Sequence, residues 1–362
     1  MKIYSSMPST PDMPGLTKKI QAVLESGVLT NNGPTVKRVE FNLAQQMGNG
    51  QGVSLVTNGT VALEMITRMP GAIFVPSYTF VASVLAPLRN KECQSRVFLI
   101  DVNRDGIVDG ACIMNAKTAL RESGLKYGHK QITVIGVDLF SQDCAYAMTR
   151  DCDRFAFPFV IDAAQSFGIR SKSKVTHPRS FSFHATKLCH SLEGGAVVGD
   201  NAMKPFVESI RNFGVGYNKP VFGATNAKMD EVRATILEHN IENMYKVLAH
   251  NRILIECVYD HLPLYKPYIQ VPIFNDRYAL LKITDADLRV KLLSKLEQND
   301  IHLRNYFKPL HMMSQYSHLT IPGLSYEMSE SLDSAFISLP LGLSVSCEMA
   351  EKTAIICMEV LG

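Results

Sequence analysis

The sequence has little excess of either charge and no long apolar run. Among its 362 residues, 37 Lys and Arg side chains oppose 34 Asp and Glu side chains, so the formal net charge is +3. No basic block stands out, and this balance gives no reason to expect nucleic-acid or membrane partners. No apolar run reaches the roughly 18 residues that a membrane helix needs. The opening stretch MKIYSSMPSTPD also lacks the apolar core of a signal peptide.

The cysteines lack the spacing of a structural site. Eight of them are spread between Cys93 and Cys357, and no pair is arranged as CxxC. This pattern favours neither a metal site nor a disulfide framework. We therefore predict free thiols, no bound metal and a reducing, cytoplasmic setting.

The apolar segments that are present predict an α/β fold. Hydrophobic residues make up 46% of the chain, which is typical of a globular protein, and the length favours one large and one smaller domain. Several short apolar runs do not alternate with polar residues, as expected of strands covered on both faces. The predicted strands lie at residues 54–57, 72–77, 97–102, 132–138, 158–164, 180–184 and 195–200. Helical or turn-rich segments separate them, so we predict a large, mostly parallel seven-stranded sheet.

The pattern changes after about Met229. Residues 230–261 have the periodicity of one long helix, and YALLKIT at 278–284 has that of a strand. Further helices are predicted at 287–300 and near 348–360. We predict a large domain over residues 1–238 and a smaller α+β domain over residues 239–362.

Three segments place reactive side chains where strands end, the edge at which open α/β sheets bind ligands. In the first, VTNGTVAL, Asn58-Gly59-Thr60 follows a strand and opens a helix. Free N–H groups at a helix N-terminus bind anions, and a glycine lets a phosphate approach the backbone. The alternative is a plain turn with Thr60 as a helix cap.

The second segment is FVIDAAQSFG, in which Asp162 ends an apolar strand and Gln165 follows. A carboxylate in an apolar setting needs a cationic or hydrogen-bonding partner, or it takes up a proton. The alternative is an aspartate that caps the next helix.

The third segment is FSFHATKLCHSLEGG, in which Lys187 is the one lysine. Ser182 and His184 share one face of the predicted strand. A desolvated lysine has a lowered pKa, and its neutral amine attacks carbonyl groups. The alternatives are a surface lysine whose stem covers the phenylalanines, or a Ser–His hydrolase on Ser182 and His184, although no GxSxG motif is present.

The three segments together match the needs of pyridoxal phosphate (PLP). This cofactor requires a phosphate cradle, an acid beside its ring nitrogen and a lysine that bonds to its aldehyde carbon. The same segments resemble the DegT/DnrJ/EryC1/StrS sugar aminotransferases, whose fold is of the aspartate aminotransferase type. The resemblance also rests on SGVLTNNGP, VPSYTFVAS, NFG, GATNAKMDEVRA and YFKPLH, in the family's order.

The resemblance implies a role for each matching residue. Lys187 would hold the cofactor and move protons, Asp162 would pair with the ring nitrogen, and Gln165 would lie near the phenolic oxygen. The remaining expected contacts are Gly59, Thr60 and Ser182 with the phosphate, Phe80 with the ring, Asn226 with the phosphate of a homodimer partner, and His184 and His311 with substrate.

Two sequence variants indicate a subgroup. Asn58-Gly59-Thr60 and Lys228 stand where many relatives have Ser-Gly-Thr and arginine, and they resemble enzymes that aminate C4 of a nucleotide-linked 4-keto-6-deoxyhexose with L-glutamate. A relative that aminates C3 or uses a GDP- or UDP-sugar, and a catalytically silent sugar-binding member, are the alternatives. No role is assigned to Cys189, His190 or the basic segment 171–180.

Overall fold

The computed structural model describes residues 2–47, 51–90, 96–142, 144–168, 177–216, 221, 223–259, 261–262, 266 and 269–362. In these ranges the strands are β1 (Ile3–Tyr4), β2 (Gln51–Val56), β3 (Ala72–Pro76), β4 (Arg96–Ile100), β5 (Ile132–Val137), β6 (Phe159–Asp162), β7 (Arg179–Ser182), β8 (Gly195–Asp200), β9 (Ile269–Asn275), β10 (Tyr278–Ile283), β11 (Ile301–His302), β12 (Arg304–Tyr306) and β13 (Phe336–Ser338).

The helices lie mainly between and after these strands. They are α1 (Met13–Ser26), α2 (Pro34–Met47), α3 (Gly59–Ile66), α4 (Ala82–Leu88), α5 (Gly110–Glu122), α6 (Cys144–Phe155), α7 (Lys204–Ile210), α8 (Glu231–Glu242), α9 (Met244–Tyr259), α10 (Ala286–Glu297), α11 (Glu327–Ser331) and α12 (Cys347–Leu361). Several begin at a side chain that accepts a backbone N–H three residues later, which stabilises a helix start by about 1 kcal/mol. Those residues are Asn58, Asp109, Asp230, Asp285 and Ser346.

A seven-stranded sheet forms the larger part of the fold, as predicted. Its order is β2-β8-β7-β6-β5-β3-β4. The strands from β7 to β4 are parallel, whereas β8 runs antiparallel to both of its neighbours. Every residue of β3 and β5 is buried, which explains why these runs do not alternate. Because β6 and β7 are parallel neighbours, Asp162 and Ser182 end at the same edge of the sheet.

A four-stranded antiparallel sheet of order β12-β13-β10-β9 forms the second part. Helices α9, α10 and α12 surround a second apolar core beside it. The short strand β1 pairs with β11, so the start of the chain packs against this C-terminal part. The boundary at residue 238 stays a prediction.

The prediction of one long helix over residues 230–261 was wrong, because the helix is interrupted at Asn243. The side chain of Asn243 donates to the carbonyl of His239, and its backbone N–H does the same. These bonds satisfy the end of α8, and α9 begins at Met244. The apolar spacing continues across the break, so periodicity alone did not reveal it.

The prediction that the thiols are free was also wrong in part. Cys257, on α9, and Cys347, at the start of α12, form a disulfide across a sequence separation of 90 residues. Spacing along the chain gives no hint of such a pair, since packing of the two helices brings it together. The cytoplasmic setting rested on free thiols and stays a prediction. Among the described residues no helix is long and apolar enough to cross a membrane.

Candidate active site

A cavity of about 980 Å³ lies where the ends of β6 and β7, the start of α3 and the C-terminal sheet meet. It brings together most of the side chains selected from the sequence. These are Gly59, Thr60, Phe80, Asp162, Gln165, Ser182, His184 and Lys187. They come from four separate stretches of the chain, so the fold assembles one site from them.

The turn at Asn58 forms a tight anion cradle. Asn58 caps α3 by accepting the N–H of Val61 at 2.9 Å. A Cβ on Gly59 would lie 2.7 Å from the Cβ of Ser182, and a Cβ on Gly195 would lie 2.5 Å from the Asn58 carbonyl. Only glycines allow the turn to pack this closely on the two strands. The N-terminus of α3 therefore faces the cavity beside the hydroxyls of Thr60 and Ser182.

Asp162 reaches the cavity from the end of β6 and is only 6% exposed. Its Oδ2 accepts the Ser83 hydroxyl at 2.7 Å, and its Oδ1 accepts the Ala164 N–H at 3.1 Å. Burial raises the pKa of this carboxyl, while the two hydrogen bonds and the charge of Lys187 act in the opposite direction. The group is thus well placed to pair with a protonated ring nitrogen.

Lys187 follows β7 in a turn in which its N–H donates to the carbonyl of His184. Burial lowers the pKa of its amine to about 8, Asp162 opposes the shift, and Arg304 adds to it. A substantial fraction of the amine is therefore neutral near physiological pH and able to attack a carbonyl carbon.

Gln165 is held by a strained turn that the sequence did not reveal. Its Oε1 accepts the N–H of Phe140 at 2.7 Å, and the Ser141 hydroxyl donates to its carbonyl at 2.8 Å. Phe140 and Ser141 have φ values of 51° and 65°, in the left-handed region that non-glycine residues rarely adopt. Because a backbone N–H must donate to oxygen, the amide nitrogen of Gln165 is the end left for a ligand.

Phe80 and His184 complete the predicted lining. Phe80 is 57% exposed, and its ring lies 6.5 Å from that of Phe307. An aromatic face with one open side can accept a planar ligand. His184 contacts Thr186 through Nδ1 at 3.0 Å, and its Nε2 lies 3.6 Å from Glu193.

Two predicted residues do not join this cavity. His311 lies 2.6 Å from the Ser77 hydroxyl through Nδ1 and stacks on Tyr326, so it ties two loops together. Its assignment to the substrate stays a prediction. Asn226 is exposed and lies outside the lining of its own subunit's cavity.

The structure also explains Cys189 and His190. The Cys189 thiol donates to the carbonyl of Asn240, and the Asn240 side chain donates back to the carbonyl of His190. The ring of His190 meets the Thr10 hydroxyl at 3.0 Å. Cys189 and His190 thus connect the turn that carries Lys187 to α8 and to the N-terminal segment. Of the basic segment 171–180, residues 171–176 lie outside the described residues.

Comparison with known proteins shows the family. The DegT/DnrJ/EryC1/StrS aminotransferase family matches residues 14–356. The chain belongs to this family. GDP-perosamine synthase from Vibrio cholerae is 24% identical over 353 residues, which cover 91% of this chain and 92% of the relative. The dTDP-4-amino-4,6-dideoxy-D-glucose transaminase of Escherichia coli is 26% identical over 327 residues, or 84% of each chain.

Solved structures show the same fold. The structure of DesI in the presence of its TDP-sugar product matches with a TM-score of 0.85 and 24% identity, covering 99% of this chain and 92% of that chain. The predicted aspartate aminotransferase type of fold is therefore confirmed for this aminotransferase.

The aminotransferase is PLP-dependent, as the sequence predicted, and its residues fit the cofactor. The close approach of Gly59 to Ser182 leaves no room for a side chain at the start of α3, where the first backbone N–H groups of the helix would bind a phosphate. Asp162 would supply a buried carboxyl group for the ring nitrogen, and Lys187 would supply an amine with a lowered pKa.

Other polar residues of the cavity could not be predicted from the sequence. Arg277 and Arg304 line it from the C-terminal part, and Asn251 reaches it from α9. The residue pattern around them is that of an ordinary strand or helix and gives no sign of a site. Their place in the aminotransferase depends on how the second part of the chain packs on the first.

Proposed function

We propose that this aminotransferase moves an amino group from L-glutamate to the C4 ketone of a nucleotide-linked 4-keto-6-deoxyhexose. The substrate we favour is dTDP-4-keto-6-deoxyglucose, which would give a 4-amino-4,6-dideoxy sugar nucleotide. The observation that carries the reaction type is the amine of Lys187, with its lowered pKa, in the same cavity as the buried Asp162. The dTDP-sugar relative of Escherichia coli supports the substrate.

Lys187 is the group that moves protons in this proposal. When bound, PLP supplies an electron sink for the substrate carbon that loses or gains a proton. With a pKa of about 8, the Nζ of Lys187 can accept a proton near neutral pH and return it in the next step. Asp162 keeps the ring nitrogen protonated, and the Gln165 amide orients the phenolic oxygen.

Two arginines of the cavity support an anionic sugar substrate. Arg277 and Arg304 both line it, and no carboxylate is within ion-pair distance of either among the described residues. A nucleotide-linked sugar carries a diphosphate, which arginine guanidinium groups bind well. The same charges suit a GDP- or UDP-sugar, and the GDP-perosamine synthase of Vibrio cholerae keeps that alternative open.

We further propose a homodimer with shared active sites. Phe213 and Val215 are 62% and 64% exposed, and Asn226 lies beside them through a bridge with Asn212. Apolar side chains this exposed are suited to a protein interface. Asn226 would then reach the cofactor phosphate of the partner subunit.

A substrate panel tests the reaction. The enzyme is incubated with L-glutamate and with dTDP-, UDP- or GDP-linked 4-keto-6-deoxyhexose, and products are identified by mass spectrometry and by NMR of the aminated carbon. We expect 2-oxoglutarate and a C4 amine, with the dTDP-sugar turned over fastest. Lys187→Met is the control and should form neither product. An amine at C3 would overturn the regiochemistry, and absence of 2-oxoglutarate with every sugar would favour a silent member of the family.

Mixed dimers test the shared site. Lys187→Met and Asn226→Ala subunits are co-expressed with different tags, and the heterodimer is purified. If Asn226 serves the partner's site, one site of the heterodimer has both native residues and regains activity. Activity no higher than that of the Asn226→Ala homodimer would show that Asn226 serves its own subunit or has no role.

A further inference from the structure

A chain of two hydroxyls leads from the cavity to the back of Asp162. The Thr79 and Ser83 hydroxyls are 2.9 Å apart, and the Ser83 hydroxyl donates to Oδ2 of Asp162 at 2.7 Å. Thr79 is 1% and Ser83 0% exposed, so bulk water has no access to either. Thr79 lines the cavity, whereas Ser83 lies behind it in the first turn of α4.

The direction of these hydrogen bonds follows from the charge on Asp162. An ionised carboxylate only accepts, so the proton of Ser83 points to Oδ2. The oxygen of Ser83 then accepts the proton of Thr79. Each hydroxyl polarises the next, and a bond to a charged acceptor is stronger than one between neutral groups.

Few other groups favour the ionised form of Asp162. Among the described residues, the N–H of Ala164 donates to its Oδ1, and the charge of Lys187 also favours the ionised form. A Lys187 that holds the cofactor would no longer present a free ammonium group to Asp162. Burial of Asp162 favours its protonated form throughout, which leaves the Ser83 hydroxyl as the main side-chain donor against it.

We propose that Ser83 and Thr79 are positioning residues that hold Asp162 as the anionic partner of the cofactor's ring nitrogen. The inference rests on the PLP use of the proposed function and adds the residues that sustain it. Neither hydroxyl touches the reacting atoms. Both act through Asp162, and a protonated Asp162 would leave the ring nitrogen without its counter-charge.

A cofactor analogue separates this role from simple packing. Binding of PLP and of its 1-deaza analogue, in which a C–H replaces the ring nitrogen, is measured by equilibrium dialysis of the full chain. We expect Ser83→Ala to weaken PLP binding roughly tenfold to a hundredfold, the effect of losing one hydrogen bond to a charged group. Binding of the analogue should change less than about twofold, because it has no ring nitrogen for Asp162 to serve.

Two further variants serve as matched comparisons. Ser77→Ala removes another fully buried hydroxyl, which contacts His311, and should not discriminate between the two cofactors. Thr79→Val removes the hydroxyl that is farther from Asp162, and it should also weaken PLP binding more than analogue binding, by a smaller factor. This variant replaces Ser83→Ala if Ser83→Ala does not fold. Turnover should fall in kcat with little change in KM for the sugar.

The proposal would be overturned if Ser83→Ala and Thr79→Val each weakened the binding of PLP and of the analogue equally. It would also be overturned if neither variant weakened PLP binding more than analogue binding. Failure of the wild-type chain to bind PLP is a separate outcome. It would overturn the cofactor assignment itself.

Discussion

Replacing Lys187 with methionine should stabilise the cofactor-free protein at neutral pH. Burial lowers the pKa of the amine from its ordinary 10.5 to about 8. A change of that size corresponds to ~3 kcal/mol against the charged form. Because the side chain retains some solvent exposure, we expect a gain of ~2 kcal/mol from Lys187→Met.

The gain should depend on pH in a defined direction. Below pH 8 the lysine is charged in both the folded and the unfolded states, so the full penalty applies. Between about 8 and 10.5 the unfolded chain binds more protons than the folded chain, and the stability of the wild type rises with pH. The advantage of the variant therefore shrinks across this window.

Urea denaturation of both cofactor-free proteins at pH 7 and near pH 9.5 measures the effect. Lys18→Met, at an exposed position on α1, is the control and should change stability by less than ~0.5 kcal/mol at either pH. A Lys187→Met protein that is less stable than the wild type, or a gain independent of pH, would refute a desolvated amine at this position.

Three further changes test contacts that shape the site or stabilise the fold. Gly59→Ala should weaken PLP binding more than roughly tenfold in dialysis, because the new Cβ would displace Ser182, whereas overall stability should change by only about 1 kcal/mol. Glu231→Gln should cost about 2 kcal/mol in urea denaturation, because a buried carboxylate that accepts two N–H groups at the start of α2 is lost; unchanged stability would contradict this. A reductant should lower the Tm of the wild type but not of Cys257→Ser, since the bond to Cys347 closes a long loop.

The central sheet could be predicted because its strands are buried on both faces. A continuous apolar run such as β5 or β3 is a strong signal that does not depend on distant contacts. Strand β9 escaped prediction, and the break at Asn243 did too. The break at Asn243 depends on local hydrogen bonds that apolar spacing does not reveal.

The reactive residues of the site could be found because each follows the end of a strand. The position after a strand end is enough to indicate Asp162, Lys187 and Gly59. Ser83 could not be found, since it acts on a carboxylate 79 residues away. The contact of His311 with Ser77 could not be predicted either, because packing alone brings the two residues together.

The sequence by itself determined the strands of the central sheet, the family and the selection of Lys187 and Asp162 as reactive residues, because burial patterns and reactive side chains are local properties. Tertiary structure alone decided how those side chains are charged and aimed. Burial lowers the pKa of Lys187, a strained turn at Phe140 orients Gln165, and Ser83 supports Asp162. These effects arise from the exclusion of water and from contacts between distant segments. Neither can be inferred from the sequence, because both depend on how the chain packs.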